Sequence, residues 1–146
     1  MLVNMKTVLA QAQQGKFAVG SFNVYSYETI KGVLDCAQQE LKPVIVAFGE
    51  RYLGNLGFNT VASIAQAVAK DINVPFALHL DHCSSTDHVY QAIKAGFTSV
   101  MYDGSVLSYE ENKLNTARVV EVAHANNVSV EAELGSLAAG RYSQEG

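Results

Sequence analysis

The sequence predicts an α/β fold whose parallel strands form a barrel of the (β/α)8 type, with about five of the eight strand–helix units present. Short apolar runs alternate with helical patterns at intervals of about 30 residues, which is typical of parallel strands joined by right-handed crossovers. Polar side chains follow the end of each apolar run. The Gly-x-Gly-x-x-Gly fingerprint of a doubly wound sheet is absent after the first strand, which favours the barrel.

Five helices and five strands follow one another along the chain. The helices are predicted over 1–14, 28–40, 60–70, 85–95 and 109–126. The strands are predicted over 17–24, 44–48, 76–80, 97–102 and 128–132. The helical segments repeat apolar residues at i, i+3 and i+4, whereas the strands are short apolar runs bounded by turn-forming residues. Strands that are apolar throughout indicate a sheet covered on both faces.

Residues that end or cap helices support these boundaries. Helix ends are marked by Gly15, Lys42-Pro43 and Gly96. Candidate N-caps are Asn59 or Thr60 for the third helix and Ser84 or Ser85 for the fourth. Glu110 and Glu111 lie in the first turn of the fifth helix, where negative charge is favourable against the helix dipole. A glycine-bearing loop over 49–57 separates the second strand from the third helix.

Composition limits the class of protein. The chain has 146 residues, 49% of them hydrophobic and 16% charged, so we expect one hydrophobic core and one domain at most. A net charge of −4 without a basic stripe argues against nucleic acid as a partner. The apolar runs are strand-sized and no leader pattern is present, so we expect a cytoplasmic protein that does not enter a membrane. Cys36 and Cys83 lack CxxC spacing, and we expect reduced thiols.

Polar groups at the strand ends are the candidate functional residues. They are Asn23, Gly49 and Glu50, Asp81 and His82, Asp103 and Ser105, and Glu133, in strand order. The carboxyl ends of parallel strands lie on one rim, so these groups are expected to converge there. Carboxylates, an imidazole and an amide on such a rim are typical of the active face of a barrel enzyme.

Two motifs at strand ends carry a family resemblance. The first is His79-Leu80-Asp81-His82-Cys83, and the second is Glu131-Ala132-Glu133-Leu134-Gly135. Supporting matches are Ser21-Phe22-Asn23-Val24 and 99–105, Ser-Val-Met-Tyr-Asp-Gly-Ser. Together they make essentially the whole chain resemble the N-terminal part of the class II, metal-dependent fructose- or tagatose-bisphosphate aldolases, which implies a TIM (β/α)8 barrel.

The resemblance also implies a reaction. Such enzymes reversibly cleave a ketose 1,6-bisphosphate to dihydroxyacetone phosphate and glyceraldehyde 3-phosphate through an enediolate, which a divalent zinc ion stabilises as a Lewis acid. His82 matches a zinc ligand, and imidazole suits zinc. Asp81 matches the catalytic group that carries the proton of the aldol hydroxyl.

Other matching positions are expected to support that chemistry. Asp103 and Glu133 match positions that hold a second or alternative metal, and the resemblance allows either a second metal or a monovalent cation besides the zinc. Asn23 matches a position near bound substrate, where its amide would bind a hydroxyl group. The resemblance further implies a phosphorylated ketose as substrate and a homodimer or higher homo-oligomer for the full-length protein.

Structural roles remain alternatives for several of these residues. His79 is expected to be a hydrogen-bonded structural residue, because buried polar groups find partners. Asp81 could cap the following helix, Asp103 could be an ordinary turn residue before a glycine, and Glu131 is expected to be structural or solvated. Cys83 is expected to be a small buried side chain rather than a nucleophile. His88 and His124 are expected to face solvent from their helices.

A Schiff-base mechanism is disfavoured by the placement of the lysines. That chemistry needs a desolvated lysine on the active rim. No predicted strand ends in lysine, since Lys94 and Lys113 fall on helices and Lys42 precedes a strand at its opposite end. Metal-assisted chemistry is therefore the better interpretation.

Two departures from the family pattern affect what we expect of the substrate and of the extent of the barrel. Gly49 stands where the family commonly has a serine that touches substrate, so a related lyase or epimerase acting on another phosphorylated sugar is an alternative. A complete barrel takes about 250 residues, whereas this sequence stops in a predicted loop over 135–146. Residues 1–146 are therefore expected to be the N-terminal part of one barrel domain whose C-terminal half is absent. A further alternative is an inactive half-barrel that acts only by association.

Overall fold

A computed structural model of the chain describes residues 1–135 and confirms an alternating α/β architecture. The strands are β1 (Gly20–Asn23), β2 (Val44–Gly49), β3 (Phe76–Cys83), β4 (Ser99–Tyr102) and β5 (Ser129–Ala132). The helices are α1 (Met5–Gly15), α2 (Tyr27–Glu40), α3 (Phe58–Val68), α4 (Thr86–Ala95) and α5 (Tyr109–Ala125), with short 3-10 turns at Glu50–Tyr52 and Ala69–Asp71. The strands pair in parallel in the order β1-β2-β3-β4-β5. The predicted loop over 135–146 falls, beyond its first residue, outside the described part.

The N-terminus departs from the predicted leading helix over 1–14, which begins only at Met5. The residues before it are extended along the start of β3: the Phe76 N–H donates to the Met1 carbonyl at 2.9 Å, and the Val3 N–H donates to the Phe76 carbonyl at 2.8 Å. This tertiary pairing displaces the first turn of the helix. Asn4 then caps α1, its side chain accepting from the Thr7 N–H.

Helix caps match the sequence prediction at the fourth helix but not at the third. Ser85 caps α4, its side chain accepting from the His88 N–H, and Gly96 ends that helix with a φ of 105°. The prediction of Asn59 or Thr60 as the cap of α3 is wrong, because the helix begins at Phe58 with Gly57 as its N-cap. Phe58, one of the two additional helical residues at this end, has its side chain in the core.

The sheet has an apolar layer on each face. The larger layer lies between the sheet and α2 to α5, and includes Val46, Leu78 and Val100. The smaller layer lies under α1, where Met5 and Val8 pack with residues of β2 and β3. Burial of both faces explains why the central strands are continuously apolar in sequence.

Full coverage was predicted for every strand, and that prediction is wrong for β1 and β5. All four residues of β1 are exposed, and β5 is only partly buried. These two strands form the edges of the sheet within residues 1–135, so each has a neighbour on one side only. The central strands β2 and β4 are buried throughout, as predicted.

The third strand is longer than predicted and irregular at its end. It continues past Leu80 to Cys83, and its pairing with β4 shifts register between these two residues. His82, within the shift, has a φ of 46°. The left-handed region is uncommon for a residue with a β-carbon, and it costs energy that the surrounding contacts must supply.

Candidate metal and active site

The structure brings a histidine and two carboxylates together at the carboxyl end of the sheet. His82 is the penultimate residue of β3, Asp103 follows β4 directly, and Glu133 follows β5 directly. The register shift in β3 and the positive φ of His82 give this histidine a different direction from that of a regular strand residue, which is a common use of a bulge. We call these three residues the rim cluster.

Nδ1 of His82 is the centre of the rim cluster. It lies 3.0 Å from Asp103 Oδ2 and 3.6 Å from Glu133 Oε2. The nearest donor atoms of all three residues lie within 4.8 Å of one another, and each side chain is only partly exposed. One imidazole nitrogen and two carboxylate oxygens form a donor set that fits a divalent ion such as Zn²⁺.

Charge within the rim cluster shifts the pKa of both His82 and Asp103. Partial burial opposes the charged imidazole, but the hydrogen bond to Asp103 and the charges of Asp81, Asp103 and Glu133 outweigh it, so the pKa of His82 is raised. Burial likewise opposes ionisation of Asp103, yet hydrogen bonds from Ser105 and His82 lower its pKa overall. Both residues therefore favour the charged pair when no ion is bound.

Of the two other predicted site residues, Asp81 lies beside the rim cluster, whereas Asn23 does not. Asp81 aligns with Gly49 across β2 and β3, and Oδ1 of Asp81 lies 3.9 Å from His79 Nε2. Asn23 aligns with Ala47 and through it with His79, which is two residues lower along β3. Asn23 is exposed on the edge strand β1. Sequence adjacency thus places Asp81 beside the rim cluster, whereas Asn23 lies two strands away.

His79 is buried and hydrogen-bonded, as predicted. Its side chain is 3% exposed, and its Nδ1 lies 2.9 Å from Ser99 Oγ. Burial, with a smaller effect of the nearby His82 charge, lowers the pKa of His79 to about 4. The imidazole is consequently neutral at pH 7, so its 3.5 Å approach to Glu131 is not an ion pair there. Burial and the charge of Asp81 raise the pKa of Glu131.

A network around Glu50 was not predicted. We define the Glu50 network as Glu50, Cys83, Ser84 and His88. Oε1 of Glu50 lies 2.6 Å from His88 Nδ1 and accepts from Cys83 Sγ at 3.3 Å. Oε2 accepts from the Ser84 N–H and hydroxyl, both at 3.0 Å. The expectation that His88 faces solvent is correct only in part, because its side chain is 40% exposed but its Nδ1 is held by Glu50, which follows the neighbouring strand.

The other histidine and cysteine predictions fit the structure. His124 is exposed on α5, and Cys83 is fully buried. Burial is the main reason that the pKa of Cys83 is raised to about 12, so its thiol is protonated at neutral pH. That state agrees with a packing role rather than a nucleophilic one. Glu50 has a lowered pKa, since hydrogen bonds from Ser84 and His88 outweigh the effect of burial.

Asn112 on α5 was also missed, although it holds the backbone of the rim. Its Nδ2 donates to the Glu133 carbonyl at 2.7 Å, and its Oδ1 accepts from Thr116 at 3.1 Å. A β-carbon on Gly104 would overlap the Asn112 amide, so a glycine is required directly after Asp103. One buried amide thereby packs against one carboxylate-bearing loop and hydrogen-bonds the other.

Sequence comparison places this chain among known proteins. The family described as fructose-bisphosphate aldolase class II matches residues 3–145. A fructose-bisphosphate aldolase of Geobacillus stearothermophilus is 49% identical over 139 residues, covering 92% of this chain and 48% of its own length. A probable fructose-bisphosphate aldolase of Bacillus subtilis is 45% identical over 141 residues, covering 93% and 49%. The chain spans about half the length of the curated relatives it matches.

Solved structures agree with the sequence comparison. The YdjI aldolase of Escherichia coli K12 superposes with a TM-score of 0.85 at 33% identity, covering 92% of this chain and 53% of that protein. A putative fructose-1,6-bisphosphate aldolase of Coccidioides immitis gives 0.85 at 26% identity, covering 94% and 48%. The strand order, the motifs at the strand ends and these likenesses agree, and the chain belongs to the class II fructose-bisphosphate aldolase family, with an α/β fold of the TIM-barrel type.

Proposed function

We propose that this chain carries the proton-transfer group and part of the metal site of an aldolase that reversibly cleaves a ketose 1,6-bisphosphate to dihydroxyacetone phosphate and glyceraldehyde 3-phosphate. The observation that carries the proposal is the convergence of His82, Asp103 and Glu133 within 4.8 Å, with Asp81 directly before His82. A metal-ligand set beside an acid–base carboxylate suits the metal-assisted form of reversible carbon–carbon cleavage next to a carbonyl.

The rim cluster is the proposed metal site. His82 would hold a catalytic Zn²⁺ through an imidazole nitrogen. Asp103 and Glu133 would hold that ion or a second metal ion, and a monovalent cation is the alternative to the second metal ion. A bound divalent ion would supply Lewis acidity toward the charge that develops on the substrate oxygens. The raised pKa of His82 implies that protons compete with the ion for its nitrogen.

Asp81 is the proposed acid–base residue, and Asn23 the proposed substrate contact. Asp81 would take the proton from the aldol hydroxyl during cleavage and return it during condensation. Its side chain is 24% exposed at the end of β3, so a substrate can reach it. Asn23 is exposed on β1, where its amide would donate to and accept from substrate hydroxyl groups.

The substrate class depends in part on Gly49. A β-carbon built on Gly49 meets the Tyr52 ring at 3.5 Å, which is an ordinary contact distance, so there is space for the β-carbon of the serine that is common in the family. The space at this position therefore does not require a glycine, and its main effect is that the serine hydroxyl is absent. We propose fructose or tagatose 1,6-bisphosphate as substrate, with another phosphorylated sugar as the alternative that the missing hydroxyl favours.

We propose that residues 1–146 are the N-terminal part of a single barrel domain, and that turnover needs the remaining strands. The chain spans about half of its curated relatives, and the edge strands β1 and β5 each lack a partner on one side within residues 1–135. The complete protein is proposed to be a homodimer or a higher homo-oligomer.

No helix within residues 1–135 is both long and apolar enough to cross a membrane.

Turnover by two preparations tests these proposals. The 146-residue chain is assayed alone, and in a chimera that continues with the second half of the Geobacillus stearothermophilus relative. We expect zinc-dependent cleavage of fructose or tagatose bisphosphate only by the chimera, with loss on adding a chelator. Asp81→Asn in the chimera should abolish turnover while zinc binding persists. A folded, zinc-bound Asp81→Asn chimera with unchanged kcat would exclude Asp81 as the acid–base residue.

A non-catalytic role through association is the second candidate, and the edge strands favour it. All four residues of β1 are exposed, and the Phe22 side chain on it is 52% exposed. An exposed edge strand that has a partner on one side only, and that carries an exposed aromatic side chain, promotes edge-to-edge pairing. Sedimentation of the 146-residue chain should then show self-association that Phe22→Lys weakens, whereas Phe17→Lys, just before the strand, serves as the matched control. Monomers at all concentrations would oppose this candidate.

A further inference from the structure

We propose that Glu50, Cys83 and His88 form a second metal site, separate from the rim cluster, which takes one divalent ion of the zinc class. The three residues come from the 3-10 turn after β2, the last position of β3 and the first turns of α4. One donor atom from each lies within 4.8 Å of the other two. A thiolate, an imidazole and a carboxylate are a ligand combination that selects zinc over magnesium or calcium.

The distances between donor atoms are close to those that a tetrahedral ion needs. Bond lengths of about 2.0–2.3 Å place neighbouring ligands of zinc roughly 3.3–3.8 Å apart. Cys83 Sγ and Glu50 Oε1 are already 3.3 Å apart, and His88 Nδ1 and Glu50 Oε1 are 2.6 Å apart. For these two ligands, binding therefore requires the imidazole nitrogen and the carboxylate oxygen to separate by about 1 Å or less.

The carboxylate and the imidazole are held in place by contacts behind them. Ser84 donates its N–H and its hydroxyl to Oε2 of Glu50, which leaves Oε1 directed toward Cys83 and His88. The His88 ring packs edge-on against Phe58, with 6.1 Å between ring centres. Outer contacts of this kind orient metal ligands and raise affinity.

The burial gradient leaves one coordination position for water. Cys83 is fully buried at the base of the site, whereas the Glu50 and His88 side chains are 19% and 40% exposed. An ion entering from the side of His88 would meet three protein ligands and keep a solvent molecule as its fourth. Glu50 and a Cys83 thiolate together carry two negative charges, which neutralise a divalent ion in this partly buried position.

The site is distinct from the rim cluster although Cys83 follows His82 in sequence. Cys83 packs in the larger apolar layer between the sheet and its helices, in line with Tyr102 of β4. His82 instead reaches Asp103 and Glu133 at the strand ends. In the metal-free chain Nδ1 of His88 carries the proton that is donated to the Glu50 carboxylate. On binding, the ion displaces the thiol proton to solvent and takes the Nδ1 lone pair of His88, while the ring proton of the neutral imidazole moves from Nδ1 to Nε2 by exchange with water.

Titration of the reduced chain with Co²⁺ under anaerobic conditions tests the proposal without reference to turnover. A cobalt ion bound by a thiolate gives an intense sulfur-to-metal charge-transfer band in the near ultraviolet, whereas the all-oxygen-and-nitrogen rim cluster cannot. We expect this band, its loss in Cys83→Ser, and its displacement by Zn²⁺. In His88→Gln, Co²⁺ affinity should fall by more than the roughly 10- to 100-fold that loss of an outer contact costs.

Two variants serve as matched controls. Cys36→Ser removes the other, exposed thiol, and Glu133→Gln removes a donor of the rim cluster, so both should retain the band. Absence of the band in the unmodified chain would overturn the proposal. So would its survival in Cys83→Ser, or its loss in Cys36→Ser. Should Cys83→Ser not fold, an unchanged Co²⁺ affinity in folded His88→Gln would also overturn it.

Discussion

The Nδ1 atom of His82 lies 3.0 Å from Oδ2 of Asp103, so the imidazole is paired with a carboxylate before any ion binds. The contact joins the end of β3 to the loop after β4, 21 residues apart in sequence. His82 makes this contact from a backbone with a positive φ. The Asp103 carboxylate helps to raise the pKa of the imidazole, and the hydrogen bond from His82 helps to lower the pKa of Asp103. Metal binding and proton binding at His82 are therefore coupled.

Asp103→Asn is expected to lower both the pKa of His82 and the affinity for Zn²⁺. The raised pKa means that the charged pair stabilises the metal-free fold below the ordinary value of 6.5, and that this stabilisation is lost as pH rises through the raised pKa. Asparagine removes the negative charge, so the imidazole titrates at lower pH. Zinc affinity should fall at least tenfold because an amide is a poorer ligand than a carboxylate.

NMR titration of the metal-free imidazole and calorimetry with Zn²⁺ measure the two effects. Asp87→Asn, on the exposed first turn of α4, is the matched control and should change neither quantity. An unaltered His82 pKa in Asp103→Asn would show that the pair does not set the protonation of the histidine.

Asn112→Ala is expected to weaken zinc binding although Asn112 is not a proposed ligand. The substitution removes the donor to the Glu133 carbonyl and the side chain that packs against Gly104, which loosens both carboxylate-bearing loops. Loss of outer contacts of this kind lowers metal affinity by roughly 10- to 100-fold. Asn115→Ala is the matched control, since Asn115 donates to the Tyr102 hydroxyl instead. Equal zinc affinities in the two variants would contradict the positioning role.

The meeting of His82 and Asp103 could be predicted from the sequence because it follows from topology. Parallel strands bring their carboxyl ends to one rim, and both residues occur directly at strand ends. The bulge that directs His82 could not be predicted, since it depends on pairing with β4 and not on a local turn motif. The same holds for the extended N-terminus, whose partner Phe76 is distant in sequence.

Contacts that depend on how the helices pack on the sheet could not be predicted from the sequence. The 2.6 Å approach of His88 to Glu50 spans 38 residues and is set by how α4 packs on the sheet. A histidine among polar neighbours on a helix gives no pattern that separates this contact from solvent exposure. Asn112 was missed for another reason: the atom that its amide nitrogen contacts is a backbone oxygen, which carries no sequence information. The one indication of its role in the sequence is that Asn112 is a polar residue on the side of α5 that faces the core.

His79 is expected to make folding stability rise with pH between about 4 and 6.5. Its pKa is about 4 in the folded chain and 6.5 in its ordinary state, so in that interval the unfolded chain binds the extra proton. The stability is therefore present above pH 6.5 and lost as pH falls toward 4. The difference corresponds to about 3 kcal/mol.

Urea unfolding of the metal-free chain at several pH values measures this dependence. His79→Asn should flatten the profile, and subtraction from the unmodified chain isolates the histidine from Glu131, whose raised pKa affects a similar range. His124→Gln, exposed on α5, is the control and should leave the profile unchanged. The same slope in His79→Asn as in the unmodified chain would show that His79 is not the titrating group.

Glu50→Gln is expected to destabilise the metal-free chain by about 1 kcal/mol, because it weakens hydrogen bonds to a charged carboxylate whose partners are partly exposed. The carboxylate accepts from the Ser84 N–H and hydroxyl on one oxygen, and on the other it accepts from Cys83 and contacts His88. An amide keeps one acceptor oxygen and turns N–H donors toward groups that are themselves donors. Because the pKa of Glu50 is lowered, its contribution is present above pH 4.5 and is lost as pH falls through the folded value. Urea unfolding at pH 7 with a chelator measures the stability of Glu50→Gln. The matched control is Glu40→Gln, at the exposed end of α2. Equal stabilities of the two variants would show that the Glu50 network does not hold the end of β3.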